Sequence, residues 1–208
     1  TGLRSSEWYY GPQKRLLAAY DLNLKNPEAM FDGIHLGLSY QALEESRHNR
    51  NFNSKFLNHR TEKVNVIGAN LDILKKFTAH TIRFGLDVQL NTLQSTASKE
   101  NIVIDTSGKL DTRYPDGDNS MNNMAVYFSH SWKLNNQTTL VDGFRLGYSM
   151  LHSTLVDTAL LFHLPYVDMK QNSPTYSGNI GIVHTPSDDL KLSFLISTGY
   201  RVPNIDDL

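Results

Sequence analysis

Histidine and carboxylate side chains are the residues of this sequence most capable of chemistry, yet neither occurs at a spacing that catalysis requires. The eight histidines and 21 acidic residues form no HExxH pattern and no other compact set of metal ligands. A GxSxG nucleophile motif, a P-loop and a glycine-rich dinucleotide turn are also absent from the sequence. The acidic pairs Asp188-Asp189 and Asp206-Asp207 lie in a predicted turn and near the end of the sequence. The presence of Ser, His and Asp does not by itself indicate a catalytic triad, because a triad is defined by its geometry. Since no catalytic motif is found, we interpret the chain as a protein without enzyme activity.

Polar side chains that alternate with apolar ones are the stronger chemical signal. From Thr81 to Asn91 every second residue is apolar and its neighbours are polar or glycine, which places the two sets on opposite faces of a strand. The expected polar faces carry Arg83, Asp87, Gln89, Asn91 and Arg145. We expect these side chains to form hydrogen bonds within a hydrated interior, as polar barrel interiors do. The alternative is that they line the path of a bound molecule.

The same alternation recurs along the chain and predicts about eight strands in an all-β, antiparallel up-and-down meander. No helical period is sustained over the length that a helix needs. The predicted runs are Leu16–Leu24, Ile34–Ala42, Val64–Ile73, Ile82–Leu90, Met124–Trp132, Phe144–Met150, Ile180–Ile182 and Leu190–Ile196. The third run changes phase at Gly68, which predicts a bulge there. Pro186-Ser187-Asp188-Asp189 is typical of the turn of a closing hairpin.

The connections between the runs are predicted to alternate in length. They are short near Asn26, Lys75, Asn135 and Ser187, and long around Arg50, Gly108 and Tyr166. The longest runs from about Ser98 to Asn122, and the last ends near Pro174. Short turns at one end and long loops at the other are typical of outer-membrane barrels.

Alternation by itself does not say whether the apolar face points inward to a core or outward to lipid. Soluble barrels and sandwiches share the pattern, so a small complete barrel stays open as an alternative. Two features favour a membrane barrel. The runs reach about ten residues, enough to cross the hydrocarbon when tilted. Aromatic residues also lie near run ends, where an interfacial girdle belongs: Trp8, Tyr9, Tyr10, Phe77, Trp132 and Tyr200.

Composition excludes several classes of function. The 20 basic and 21 acidic residues give a net charge of −1, so no nucleic-acid partner is expected. The absence of cysteine excludes disulfides and thiolate metal sites. The sequence contains no run of 18 apolar residues, so no transmembrane helix is predicted. The start at Thr1 resembles neither an initiator methionine nor a signal peptide, so we expect the chain to be cut from a longer protein.

Several motifs, in this order along the chain, resemble TonB-dependent outer-membrane receptors, in particular those similar to haem and haemoglobin receptors of Bacteroidetes-type bacteria. They are Tyr10-Gly11-Pro12-Gln13-Lys14-Arg15, Glu45-Ser46-Arg47 with Arg50 and Phe52, Thr112-Arg113-Tyr114-Pro115-Asp116-Gly117, and Gly199-Tyr200-Arg201-Val202-Pro203-Asn204. The last is similar to the GFRAPN box found late in these barrels. Tyr200 and Val202 replace its more usual Phe and Ala.

This resemblance implies a 22-stranded barrel in the outer membrane, filled by a plug and driven by the TonB complex of the inner membrane. Residues 1–208 would be a partial barrel domain without the plug, because eight strands cannot close so wide a lumen. The implied function is uptake of an iron compound, haem or a siderophore, or of a similar scarce nutrient. The implied partners are the TonB complex, through the plug, the nutrient and outer-membrane lipid. The alternative is a complete eight-stranded barrel that acts as a membrane anchor or binds lipid.

If the cargo is haem, imidazole is a common axial ligand of its iron. The histidines expected in or beside the extracellular loops are His48, His59, His152 and His163. No permanently bound cofactor is expected. His130 and His184 lie on mainly apolar faces and are interpreted as interfacial residues. In the terminal box of Tyr200, Arg201, Pro203 and Asn204, proline cannot donate to a ladder, so Pro203 is predicted to mark the end of the last strand or its upper edge.

Overall fold

The computed structural model of this chain describes residues 5–26, 28, 30–156 and 167–207, except for the side chain of Asp206. These residues form one antiparallel sheet of ten strands and one short 3-10 helix. The strands are β1 (Ser5–Tyr10), β2 (Lys14–Lys25), β3 (Gly33–Asn51), β4 (Phe56–Lys76), β5 (His80–Asn101), β6 (Thr106–Lys109), β7 (Asn119–Lys133), β8 (Thr138–Thr154), β9 (Asp168–Ser187) and β10 (Leu190–Ser197). The helix is Ile205–Asp207.

The sheet is a meander in which each long strand pairs with the next one along the chain, in the order β1-β3-β4-β5-β7-β8-β9-β10. Both β1 and β2 lie along the same edge of β3, with Tyr10 opposite Arg47 and Lys14 opposite Glu44. They therefore act as one strand interrupted at residues 11–13. The short β6 pairs only with the end of β5. Counted this way, the sheet has eight main strands, and the predicted all-β meander is confirmed.

The pairing of β4 with its two neighbours is unbroken, so the predicted bulge at Gly68 is wrong. Gly68 lies opposite Ser39 on β3 and Gln89 on β5 in a constant register. The phase change has another cause: Val64 and Val66 lie on the otherwise polar face, while the apolar series from Ile67 onward lies on the other. Register shifts occur instead between Ser5 and Glu7 and between Leu190 and Leu192.

Four short connections lie together at one end of the sheet, as predicted. They join β2 to β3, β4 to β5, β7 to β8 and β9 to β10. In the β7–β8 turn the Asn135 side chain accepts hydrogen bonds from the backbone N–H groups of Gln137 (2.9 Å) and Thr138 (2.8 Å), which is why asparagine favours such turns.

At the opposite end the strands are longer than predicted and the connections shorter. The loop predicted around Arg50 is wrong, because β3 continues to Asn51, β4 begins at Phe56 and only residues 52–55 lie between them. The loop predicted from Ser98 to Asn122 loses both ends to β5 and β7 and contains β6. Backbone pairing needs no apolar side chains, so the ladders run on past the amphipathic part of each strand.

The last predicted connection ends earlier than predicted, because β9 begins at Asp168 and Pro174 lies inside it, opposite Tyr148 on β8. Tyr166, around which this connection was predicted, lies outside the described residues. Pairing of β9 with β10 stops at Asn179, so Pro174 is on a free edge. A proline is tolerated there because no ladder hydrogen bond is required of it.

One face of the sheet is apolar and exposed. Phe84, Phe128 and Phe144 form a cross-strand row on this face, with ring centroids 5.2 and 5.5 Å apart. Large side chains remain open across the whole sheet, from Leu16 (59 % exposed) on β2 to Phe194 (64 %) on β10. The only hydrophobic residues buried in the described part of the chain are Ala125 and Leu151. The apolar rows therefore do not meet one another in a closed core.

The edges of the sheet are open as well. Within the described ranges β2 pairs only with β3, and β10 only with β9. A complete eight-stranded barrel requires these two edges to pair with each other, so that alternative is not supported. No helix among the described residues is long and apolar enough to cross a membrane.

Candidate functional site

Polar side chains on the second face form a hydrogen-bonded network near the end of the sheet with the short turns. His35 on β3 lies between two carboxylates, with Nε2 3.1 Å from Asp21 Oδ1 and Nδ1 3.4 Å from Asp72 Oδ2. The amide of Asn70 is 3.3 Å from His35 Nδ1. The Tyr127 hydroxyl on β7 donates to Asp72. The network thus connects β2, β3, β4 and β7 across the polar face.

A glycine makes the longest of these connections possible. Tyr127 and Asp72 lie on strands separated by β5, and Gly85 of β5 is paired with both of them. A β-carbon at Gly85 would overlap the Tyr127 ring. The missing side chain therefore allows the ring to lie across β5 and the hydroxyl to reach Asp72.

Asp87 and Arg145, two of the predicted polar-face residues, are brought together by the structure. Arg145 Nη2 on β8 is 2.7 Å from Asp87 Oδ2 on β5. Ala125, the residue of β7 paired with Asp87, is buried and small, which leaves room for this contact over β7. Arg145 also contacts the Tyr200 side chain of the terminal box.

The other predicted polar-face residues lie on the same face. Gln89 donates to Asn91 at 3.2 Å. Arg83 lines a cavity of about 790 Å³ beside His35, Asp72 and Lys76. Asp32, in the β2–β3 connection at the rim of this cavity, accepts a hydrogen bond from the Lys76 backbone N–H and lies 3.3 Å from Lys75 Nζ.

The electrostatics at this rim favour an ionised carboxylate. The Lys76 backbone N–H, and after it the Lys75 ammonium, hold the pKa of Asp32 below its ordinary value of 3.8. The sequence had not indicated His35, Asp72 or Tyr127 as members of the network. The sequence did contain one indication of this network: Asn70 and Asp72 are polar and two residues apart on β4, so they lie on the same face.

At the other end of the polar face, a carboxylate is buried without a hydrogen-bond partner. Glu62 is 7 % exposed, and neither of its oxygens has a partner among the described residues. The guanidinium groups of Arg47, Arg60 and Arg113 are close enough to attract it. The segment 110–118 is tied to this region, because Arg60 Nε donates to the Asp111 carbonyl at 3.2 Å.

The histidines expected in or beside the extracellular loops lie beside them where the structure describes them. His48 lies on β3 and His59 on β4, directly paired, with their Nδ1 atoms 2.6 Å apart. His152 lies on β8, and its Nε2 is 3.1 Å from Asp168. All three lie on strands, within three residues of the strand ends that border these connections, so they are beside the connections and not inside them. Their role as haem ligands stays a prediction. His163 lies outside the described residues.

Two further histidines were interpreted as interfacial. His130 is on the apolar face in the pairing row of Ile82, near the short-turn end, and its Nδ1 is 2.8 Å from Asp142. His184 Nδ1 is 3.0 Å from Thr138 Oγ1. Across the described ranges, no three or more His, Asp or Glu side chains are arranged to hold a metal ion.

The terminal box follows the sheet and does not belong to it. β10 ends at Ser197, so Pro203 does not mark the end of the strand as predicted. Arg201 Nη2 donates to both Asp207 oxygens, at 2.8 and 3.1 Å, and the Asn204 N–H donates to the same carboxylate at 3.0 Å. The Asn204 N–H, and after it Arg201, lower the pKa of Asp207. The Asp207 carboxylate therefore caps the start of the 3-10 helix, as the carboxylate of a capping box does, and the Asp207 N–H donates to the Asn204 carbonyl at 3.0 Å.

Comparison with known proteins agrees with this geometry. The family model "TonB dependent receptor-like, beta-barrel" matches residues 1–208. No curated protein sequence matches the chain. Three solved structures share the fold.

The first of these structures is the copper transporter OprC, at TM-score 0.72 and 14 % identity over 86 % of this chain and 29 % of that one. The ferric yersiniabactin uptake receptor FyuA of Yersinia pestis matches at TM-score 0.61 and 16 % identity, over 88 % of this chain and 28 % of that one. The ferric-catecholate import receptor Fiu of E. coli K12 matches at TM-score 0.60 and 10 % identity, over 93 % and 36 %.

The TM-scores of 0.60–0.72 establish a shared fold, and the chain spans about a third of the length of each structure. The open meander, with one apolar and one hydrogen-bonded polar face, is a segment of such a barrel. The family model covers the whole of the sequence. The chain therefore belongs to the TonB-dependent receptor β-barrel family.

Proposed function

We propose that this chain is part of the wall of an outer-membrane receptor that takes up an iron-bearing compound, a ferric siderophore or haem. In this arrangement the apolar face contacts lipid and the polar face lines the lumen. The short turns face the periplasm and the opposite end faces the exterior. The receptor works by recognition and gated passage, and no bond in the cargo needs to be made or broken.

The contrast between the two faces carries this proposal. Apolar side chains such as Ile67 (52 % exposed) and Leu146 (53 %) have no covering layer in the described structure. Their neighbours on the other face are joined by the Asp21–His35–Asp72–Tyr127 network and the Arg145–Asp87 pair. The apolar face is suited to contact with lipid, and the polar face is suited to a hydrated lumen.

The charge at the extracellular end of the polar face supports an anionic cargo. Three arginines, Arg47, Arg60 and Arg113, lie near two carboxylates, the buried Glu62 and Glu45, and Arg47 is paired with Glu45 at 2.9 Å. These five groups carry one excess positive charge, and guanidinium groups recognise carboxylates and other oxygen anions with paired hydrogen bonds. The structural neighbours are named for copper, ferric yersiniabactin and ferric catecholate, which is consistent with a metal-bearing cargo here.

The histidine positions do not favour axial haem ligation. The Nδ1 atoms of His48 and His59 face each other at 2.6 Å, which leaves no room for a macrocycle between the rings. Their Nε2 atoms are engaged by Ser46 and Glu100. His152 is engaged by Asp168. Haem would therefore be held through its carboxylates, so a ferric siderophore is the leading cargo.

Energy for passage would come from the TonB complex through a plug domain, which is not part of these 208 residues. Location in the outer membrane follows from the same proposal. Both belong to the whole receptor, of which this segment forms one part of the wall.

The segment between β5 and β7 offers a direct test in the full-length receptor. Residues 103–117 are replaced by a short Gly-Ser linker, and binding of ferric siderophores and of haem is measured together with growth on each as the only iron source. We expect cargo binding to fall at least about tenfold, because Arg113 is lost together with the Asp111 carbonyl that accepts from Arg60.

The matched control lies at the other end of β5, where the turn 77–79 is replaced by another short turn. That variant should insert and bind normally. Outer-membrane insertion of both variants is followed by heat-dependent migration on gels. Unchanged binding and growth of the 103–117 variant with every iron source would contradict the proposed role of this segment.

A further inference from the structure

Two histidines face each other near the extracellular end of the β3–β4 hairpin, on the outward face. His48 and His59 are direct cross-strand partners. His48 is eight residues beyond Tyr40, an exposed member of the apolar rows, or about 26 Å along the strand at about 3.3 Å per residue. The pair therefore lies outside the apolar part of the sheet and is accessible from water.

The outer nitrogen of each ring is held by a neighbouring group. Glu100 Oε2 on β5 is 3.1 Å from His59 Nε2, and Ser46 Oγ is 3.1 Å from His48 Nε2. A carboxylate can only accept, so it fixes the proton of His59 on Nε2. The Nδ1 lone pair of His59 then points toward His48. Metal-binding histidines are oriented in this way by a hydrogen bond at the nitrogen that does not bind the metal.

Two neighbours keep His48 in this orientation. The Tyr9 ring stacks on the imidazole, with centroids 4.7 Å apart and planes at 22°. Gly11 lies against its other edge, where a β-carbon would be 2.8 Å from His48 Nε2 and would overlap Ser46 Oγ. β1 therefore contributes the stacking ring, and Gly11 in the interruption that follows it leaves the space that the Ser46–His48 hydrogen bond needs.

We propose that His48 and His59 bind one divalent transition-metal ion through their two Nδ1 atoms. Two nitrogens bound side by side in a square plane at about 2.0 Å, the geometry of Cu²⁺, are about 2.8 Å apart, and two bound tetrahedrally at about 2.0–2.1 Å are about 3.3 Å apart. The rings must therefore separate by about 0.2–0.7 Å from their 2.6 Å contact and turn slightly. The His59 side chain is 26 % exposed and can make this adjustment. Water or a small ligand completes the coordination, because no third His, Asp or Glu of the described chain joins the pair.

The chemistry of the donors selects the ion. Imidazole binds copper, nickel and zinc, and affinity for a given nitrogen site rises from nickel to copper and falls again for zinc. Cu²⁺ should therefore bind most tightly. The site is independent of the cargo proposed above, since it lies on the outward face, away from the lumen.

Binding of Cu²⁺ alone to the full-length receptor in detergent tests the proposal, with electron paramagnetic resonance as the readout. We expect one bound equivalent whose spectrum shows nitrogen coupling. His48→Ala, His59→Ala and the double variant should each lose that equivalent. Glu100→Ala should weaken it by about 10–100-fold, as loss of an orienting partner does.

His152→Ala is the matched control, since it removes a histidine at the same end of the sheet that is paired with Asp168. It should leave the signal unchanged. Copper bound elsewhere, for example beside His130, should persist in the double variant, so the signal of that variant is subtracted from the signal of the wild type. The proposal is overturned if the wild-type protein and the His48→Ala/His59→Ala double variant give the same copper stoichiometry and the same spectrum while both proteins migrate as folded barrels.

Discussion

Replacement of Gly85 by alanine tests whether the polar-face network depends on a glycine beneath the Tyr127 ring. An added β-carbon would overlap that ring, so the ring must move and its hydroxyl must leave Asp72. A hydrogen bond to a charged group contributes about 1.5–3 kcal/mol, and overpacking adds about 1–3 kcal/mol. The two contributions sum to about 2.5–6 kcal/mol, and the preference for alanine over glycine in a strand offsets about 0.5–1 kcal/mol. We therefore expect Gly85→Ala to lower the free energy of unfolding by about 2–5 kcal/mol.

Whether Gly85→Ala stabilises or destabilises the protein should depend on the residue at position 127. In a Tyr127→Ala protein no ring is displaced, and alanine is favoured over glycine within a strand by about 0.5–1 kcal/mol. Gly85→Ala should then be neutral or slightly stabilising. In a Tyr127→Phe protein the ring remains but the hydroxyl is gone, so the substitution should cost only the overpacking of about 1–3 kcal/mol.

The assay is guanidinium unfolding of the full-length receptor in detergent, with the midpoint and slope compared among variants. Gly33→Ala is the control on the same face, because its β-carbon would meet Leu74 at an ordinary 3.6 Å. The expected coupling between Gly85 and Tyr127 is about 3 kcal/mol. An equal cost of Gly85→Ala with and without the Tyr127 ring would refute the reasoning.

Two further predictions use the same protein. The pKa of Asp32 is lowered in the folded state, so its contribution to stability is present above about pH 4 and is lost as the pH falls through the lowered value. The acid side of the melting-temperature profile should therefore flatten in Asp32→Asn, and a profile equal to that of the wild type would contradict this role. Asp87 and Arg145 are partly exposed (45 and 33 %), so Arg145→Met should cost only up to about 1 kcal/mol. The exchanged pair Asp87→Arg/Arg145→Asp should recover most of that cost in guanidinium unfolding, and no recovery would indicate that the ion pair contributes nothing.

The loop predictions failed for a common reason. Residues 44–53 and 98–101 are polar on both faces, and a period-2 apolar pattern cannot report a strand that water surrounds. Backbone pairing continues there without it, as the register Asn49–Asn58 and Phe56–Asn101 shows. His48, His59 and His152 therefore lie on the ends of strands beside the connections, and Pro174, predicted to end a connection, lies inside β9.

The faces, by contrast, could be predicted residue by residue. Successive side chains of a strand point to opposite sides, so the position of Asp87 or Arg145 relative to Leu86 or Leu146 follows from their numbers alone. Turn residues such as Asn135-Asn136 and Pro186–Asp189 act locally, and the four short turns lie where they were expected.

By itself, the sequence determined that this protein is a meander of about eight amphipathic strands with a polar and an apolar face, since alternation and turn chemistry depend only on neighbouring residues. Only the tertiary structure decided which side chains meet. Tyr127 reaches Asp72 because the register places Gly85 between them, and His48 meets His59 because two ladders run past the apolar rows. Such contacts join residues far apart in the chain, and their distances are set by strand pairing, which no local pattern encodes.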